Sequence, residues 1–307
     1  MFANLRQNED AVSPIVATLV LIVVAVVGAV AVGTIMGTFS NDVADQTNVG
    51  DVAGSSSYEI LIGGSTTVQP VSELLGKAFM AENGGVKINV QGGGSGVGVT
   101  SAKMGIVDIG AASRPVDDSE LTVTQIGGSA VVVIAGSDVT ATGVTKAQLW
   151  DALNGTYTGI AGADHFVQRA EESGTEETFA KYVTGATSLD AYTGGANVTA
   201  TGNAGVLEAV KTHPKYIGFV DAGYALNDDG VNVLTVDGED ATSDNILNAL
   251  KGKTDAYPAG LTRPLNYMTR ADGTNSIVQK FIDFARSPAS IEIFHEAGMY
   301  SILEFSS

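Results

Sequence analysis

Cysteine is absent from the 307 residues, which removes disulfides, thiolate metal sites, thiol nucleophiles and lipid anchors joined through a thioether. Any attachment to a membrane must then come from the polypeptide itself. Basic residues are scarce: 16 Lys and Arg stand against 34 Asp and Glu, a formal net charge of −18 with a pI near 4.3. Such a balance repels nucleic acid and anionic lipid headgroups, so no nucleic-acid partner is expected. Charged residues of either sign are few, 16% against 44% hydrophobic, too apolar for a disordered chain and too mixed for a polytopic membrane protein. The three histidines, His165, His213 and His295, lie far apart and in no metal-ligand spacing. None is placed by a motif to serve as base to a nucleophile such as Ser173, so neither a metal, a cofactor nor catalysis is expected. The single tryptophan, Trp150 within Leu149–Leu153, reads as a packing residue. Glycine is plentiful, with 38 residues, and favours tight turns.

The 31 residues from Ala11 to Asn41 carry no charge. A hydrocarbon core of about 30 Å needs roughly 20 helical residues, so this stretch is long enough to span a bilayer. Ser13-Pro14 is a good helix start, since serine can cap free amides and proline is tolerated in the first turn. The leading decapeptide has Arg6 against Glu9 and Asp10, and the apolar run exceeds an ordinary signal core. Glu9-Asp10-Ala11-Val12-Ser13-Pro14-Ile15-Val16 resembles the N-terminus of archaeal type IV pilin-like proteins. That resemblance implies a leader over residues 1–10, cleavage between Asp10 and Ala11, and a retained helix over 11–41. The helix would serve as a membrane anchor or as the core of a surface filament. Its small residues, Gly28, Ala29, Ala31, Gly33 and Gly37, allow close helix approach in either case. Residues 42–57 turn to Asp, Asn, Gln, Gly and Ser and read as a tether.

Beyond it the pattern becomes strand, turn, helix. Tyr58–Ile62 alternates, Gly63-Gly64-Ser65-Thr66-Thr67 breaks it, and Val71 to Ala81 has helical spacing. Val86–Val90, then Gly92–Gly96, then a helix from Val97 to Met104 repeat the unit, and Val107–Gly110 predicts another short strand before Ala111-Ala112-Ser113-Arg114. Arg169-Ala170-Glu171-Glu172-Ser173-Gly174-Thr175 precedes a helix through Phe179 to Val183. In open α/β sheets such loops gather at the carboxyl ends of the strands, and helix N-termini there direct amides toward an anion. A guanidinium adds paired donors that match a tetrahedral oxyanion.

In their order, these four loops resemble the phosphate-binding proteins of ABC importers. The likeness extends through Ile217–Val220, Leu261-Thr262-Arg263-Pro264-Leu265, Phe281–Phe284 and Glu296-Ala297-Gly298, covering nearly everything from Tyr58 to Ile302. It implies a two-lobed α/β fold of the type II periplasmic-binding-protein kind, following the long N-terminal hydrophobic helix. Lobe one would comprise 58–135 and 261–307, and lobe two 136–260. It further implies that Thr66, Thr67, Ser95, Arg114, Arg169, Ser173, Gly174 and Thr175 bind phosphate. Gly64, Ser65 and Gly94 would support the loops, and Glu171 would orient Arg169. The best-known members end the third motif with an aspartate that accepts the proton of hydrogen phosphate; Arg114 stands there, leaving discrimination against sulfate or another tetrahedral oxyanion open. Glu172 replaces the usual glycine and Glu176 follows it; the two read as an exposed acidic helix start. The implied partners are an ABC permease and, through the N-terminal helix, a membrane or a homo-oligomeric filament, at the cell surface.

Overall fold

The computed structural model describes residues 58–192, 197–226 and 228–306. The expected leader, hydrophobic helix and tether lie outside the described residues. No helix among the described residues is long and apolar enough to cross a membrane.

Strand β1 (Tyr58–Gly64) buries Ile60 and Ile62 completely, as its alternation requires. Helix α1 (Val68–Glu82) buries Val68, Val71, Ser72, Leu75, Gly76 and Phe79, one stripe at helical spacing. It stops at Asn83, whose backbone and side-chain amides both donate to the Phe79 carbonyl. Strand β2 (Val86–Gly92) returns parallel to β1, and helix α2 (Ser95–Lys103) follows Gly94, which adopts φ 94°. Strand β3 begins two residues later than the pattern suggested, at Ile109–Ala112, because Gly105 turns left-handed (φ 67°) and Asp108 donates sideways to the Leu61 carbonyl.

Strand β4 (Leu121–Ala135) is the long element of the sheet. Its first part, Leu121 to Ala130, pairs antiparallel with β10 (Thr262–Arg270), and its last five residues pair with β8 (Tyr216–Asp221). The path of the mixed sheet is β2-β1-β3-β10-β4-β8-β6-β7, with β6 (His165–Arg169) and β7 (Asn197–Ala200) parallel at its far end. Off that path, β9 (Asn232–Val236) pairs with the last residues of β4 and, on its other side, with the short β5 (Gly143–Val144).

Two large hydrophobic clusters flank the crossing strands. One gathers Ile60, Leu75, Phe79, Ile109 and Phe281; the other gathers Val131–Ala135, Phe166, Phe179 and Phe219. In the second, Phe179 and Phe219 stack with centroids 4.3 Å apart. Each fully buried phenylalanine contributes about 1.5–3 kcal/mol of apolar transfer. Phe179 belongs to helix α4 (Gly174–Thr184), so this packing fixes the helix whose first turn carries the Ser173-Gly174-Thr175 loop. Helix α5 (Gly202–Thr212) lies beside β8, and its second residue, Asn203, is fully buried.

Candidate anion-binding site

The loops after β1 and β3, the start of α2 and the start of α4 meet in one polar cluster. Ser65 donates its hydroxyl to Ser113 Oγ at 2.9 Å, and the Ser113 amide donates to Ser95 Oγ at 3.1 Å. The Gly64 carbonyl accepts from the Gly94 amide at 2.9 Å, joining the first two loops through backbone. A Cβ on Gly174 would lie 2.6 Å from Ser113 Oγ and 2.7 Å from Ser95 Oγ. The fourth loop therefore closes directly on the other two. Ser173 caps α4, accepting from the amides of Thr175 (3.1 Å) and Glu176 (3.4 Å), and this leaves the first turn in register with the cluster.

Thr67 is the hub. Its hydroxyl oxygen lies 3.2 Å from Thr175 Oγ1 and accepts from Asn203 Nδ2 and Arg263 Nη2, both at 3.0 Å. Residues from β1's loop, α4, α5 and β10 thus share one hydroxyl. Arg169, at the end of β6, donates through Nη2 to Thr66 Oγ1 at 3.1 Å and pairs with Glu171. Glu171 is itself fixed by the Gly202 amide at 3.1 Å. Tyr224 donates to the Thr66 carbonyl at 2.9 Å; burial pushes its hydroxyl up to about 12, keeping it a donor.

The electrostatics are decided by what is not satisfied. Among the described residues, the buried side-chain polar atoms without a partner are Nε and Nη1 of Arg169 and Nε and Nη1 of Arg263. Arg169 is 4% and Arg263 3% exposed. Four cationic donors left unpaired inside a protein are costly, and each such group calls for a ligand, ion or water. Asp221 already accepts from Ser129 Oγ (2.7 Å), Arg263 Nη2 (2.6 Å) and the Gly223 amide (3.1 Å), and it is not the partner of any of these four atoms. The arrangement suits a compact, strongly hydrogen-bonding anion.

The structure brings Ser65, Thr66, Thr67, Ser95, Arg169, Ser173, Gly174 and Thr175 together, with Gly64, Gly94 and Glu171 in the turns that hold them. Arg114 is engaged by carboxylates that line the cavity beside Arg169. Its guanidinium pairs with Glu177 at 3.1 Å and Glu172 at 3.6 Å, while Asn266 holds its carbonyl. The acidic residues expected at an exposed helix start divide. Glu172 is exposed, its carboxyl set over Gly96, whereas Glu176 is only 7% exposed. Glu176 accepts from the Leu189 amide at 3.0 Å, and burial raises its carboxyl above the usual range. Both line a cavity of about 370 Å³ with Arg169, Glu171, Ser173 and Asp190. Ser113, Asn203, Asp221 and Arg263 join the cluster without having been assigned to it from sequence. Ser113 and Arg263 stood within quoted motifs; nothing in the local pattern singled out Asn203 or Asp221. No group of three or more His, Asp or Glu among the described residues could hold a metal ion.

A mixed sheet crossed by one long strand, with hydroxyl loops and buried guanidinium groups meeting at a single point, defines a binding protein for small anions. The family described as "PBP superfamily domain" matches residues 40–289. The chain belongs to that superfamily, and its α/β sheet is the type II arrangement. It is similar to the phosphate-binding protein PstS of Bacillus subtilis, 26% identical over 244 residues, covering 76% of this chain and 76% of the relative. The phosphate-binding protein PstS of Borreliella burgdorferi is 26% identical over 258 residues, covering 79% of this chain and 90% of the relative. A Clostridium perfringens protein, named as a phosphate ABC transporter substrate-binding protein and solved with bound phosphate, is 25% identical with a TM-score of 0.70. That match covers 79% of this chain and 99% of the neighbour.

Proposed function

We propose that this chain captures inorganic phosphate at the cell surface and presents it to an ABC importer, performing no covalent chemistry itself. The observation that carries the reading is Arg169: fully enclosed, anchored by Glu171 and Thr66, and left with two unpartnered donors among serine and threonine hydroxyls. The names of the relatives supply the ligand and the transporter. Residues 58–135 with 261–307, and 136–260, would act as two lobes hinged on β4 and β10, shutting when one ligand bridges donors from both.

Among the predicted binding residues, Thr66, Thr67, Ser95, Ser173, Gly174 and Thr175 join Arg169 in contacting the ligand. Arg114 acts at the rim. The carboxylates nearest the cluster already accept from protein donors, so little favours a protonated over a fully deprotonated guest, and sulfate is expected to compete. The charge-free stretch Ala11–Asn41 would hold the protein at the membrane. Its pilin-like start favours one further reading, a subunit of a surface filament, which negative-stain images of surface fractions would reveal as fibres.

Calorimetric titration of the full-length chain with phosphate, sulfate, molybdate and tungstate tests the ligand. Phosphate binding is expected, and Arg169→Ala should weaken it about 100-fold or more, as for two charge-assisted hydrogen bonds of about 1.5 kcal/mol each. Tight sulfate binding with no heat from phosphate would overturn the assignment.

A further inference from the structure

The two buried guanidinium groups are arranged alike. Arg169, ending β6, commits Nη2 to a carboxylate, Glu171, and to the hydroxyl of Thr66. Arg263, in the crossing strand β10, commits Nη2 to a carboxylate, Asp221, at 2.6 Å and to the hydroxyl of the next residue, Thr67, at 3.0 Å. In both, Nε and Nη1 are left without a partner. Adjacent threonines on one loop therefore each receive one arginine, and the two arginines present the same pair of free donors.

We propose that Arg263 is a second anion-contacting guanidinium, so that Arg169 and Arg263 together form a two-cation cradle for a dianionic tetrahedral oxyanion. The inference rests on the anion-capture reading above and deepens it. Three further observations support it. Asp221, which pairs with Arg263 through Nη2, already accepts from Ser129 and the Gly223 amide as well, and neither Nε nor Nη1 of Arg263 finds it as a partner. The two cations feel each other: burial lowers the Arg263 pKa, Asp221 opposes the fall, and the charge of Arg169 adds to it. Two like charges buried in one dry polar cluster favour an anion between them. Finally, Arg263 sits opposite Ser129 in the β10–β4 ladder, on the strands that run between the two hydrophobic clusters. It is therefore placed where a ligand bridging both sides would be met by a fixed donor.

The test uses the full-length chain in detergent, with phosphate and sulfate titrated into wild type, Arg263→Lys and the neutral pair Arg263→Gln with Asp221→Asn. The lysine keeps a cation beside Asp221 but not the planar set of donors, and the pair removes both charges together, which guards against an orphaned carboxylate. Both variants are expected to bind phosphate at least about tenfold more weakly, with thermal midpoints near wild type. A second readout follows arginine Nε–Hε resonances during phosphate titration, with signals assigned by single Arg→Lys changes. Two are expected to shift, those of Arg169 and Arg263. A shift of Arg169 alone, or variants binding within about twofold of wild type, would overturn the proposal. If wild type gives no heat with either anion, the anion-capture reading itself falls. If wild type and Arg169→Ala differ while Arg263→Lys behaves as wild type, only this inference falls.

Discussion

The Arg114 guanidinium lies 3.1 Å from the Glu177 carboxylate and 3.6 Å from that of Glu172, tying the residue two beyond β3 to the first turn of α4 and the loop before it. Glu177 also holds Lys181 one turn on, at 2.5 Å. Arg114 and Glu177 have side chains 19% and 17% exposed, so the pair is partly shielded, and a coupling of about 1 kcal/mol is the appropriate scale. It spans elements rooted in different hydrophobic clusters and so would favour the shut arrangement of the proposed lobes.

Charge reversal separates this role from direct anion contact. Arg114→Glu places a third carboxylate against Glu172 and Glu177 and should lower phosphate affinity about tenfold, with little change in thermal stability. Adding Glu177→Arg should recover at least half of the lost binding free energy, measured by calorimetry as a double-mutant cycle. A group that touched the anion could not be rescued this way, since the compensating charge would sit on the partner and not at the ligand. Failure of the second substitution to restore any affinity would assign Arg114 to the ligand.

Much of this site was legible in the sequence because its parts are local. Glycine-flanked hydroxyls sit between a strand pattern and a helix pattern, which marks the loops, and the order of those loops carries the family resemblance that picks out Ser65, Thr66, Thr67 and Ser173 within them. Boundaries moved where caps intervened: helix α4 starts at Gly174 because Ser173 bonds its first free amides, five residues before the apolar stripe at Phe179 shows it. Arg263, Asn203 and Asp221 were hidden for the opposite reason. They lie in β10, at the start of α5 and at the end of β8, and only the tertiary packing of these elements brings Arg263 and Asn203 to Thr67, with Asp221 bonded to both. Arg114 stood in a motif whose position was readable but whose partners, Glu172 before α4 and Glu177 in its first turn, were not.

Gly174 tests closure without touching charge. Its φ is not in the left-handed region, so alanine is tolerated by the helix itself, and helix propensity favours it by up to about 1 kcal/mol. The obstacle is outside the helix: the added methyl would lie 2.6 Å from Ser113 Oγ, 2.7 Å from the Ser113 carbonyl and 2.7 Å from Ser95 Oγ. One of these is backbone and cannot swing away. Gly174→Ala should therefore weaken phosphate binding at least about tenfold, read by calorimetry beside thermal unfolding. Binding at wild-type strength would mean that these loops do not close as tightly when the ligand is held.

Glu176 predicts a pH dependence with a definite sign. The residue is buried beside Ser188 and Leu189, and burial raises its carboxyl above the ordinary 4.5, Asp190 adding to the rise while the Leu189 amide and Arg169 oppose it. A raised pKa means that the folded protein binds this proton more tightly than the unfolded chain. The favourable contribution is then fully present below 4.5 and is lost as pH climbs through the folded value, so the native state carries a penalty at neutral pH. Glutamine keeps an oxygen that can accept from the Leu189 amide at the observed 3.0 Å and removes the charge. Glu176→Gln should accordingly raise the thermal midpoint at pH 7, with the gain shrinking to nothing as the pH is brought below 4.5. Thermal unfolding of both proteins across that range checks it. An equal gain at every pH would trace the effect to packing, and a loss at pH 7 would show that the ionised carboxylate is stabilised by Arg169 more than burial disfavours it. The same substitution lightens the acidic lining of the cavity beside Arg169, so phosphate affinity at pH 7 should rise modestly, by about twofold to fivefold, as expected for one like charge removed at partial screening.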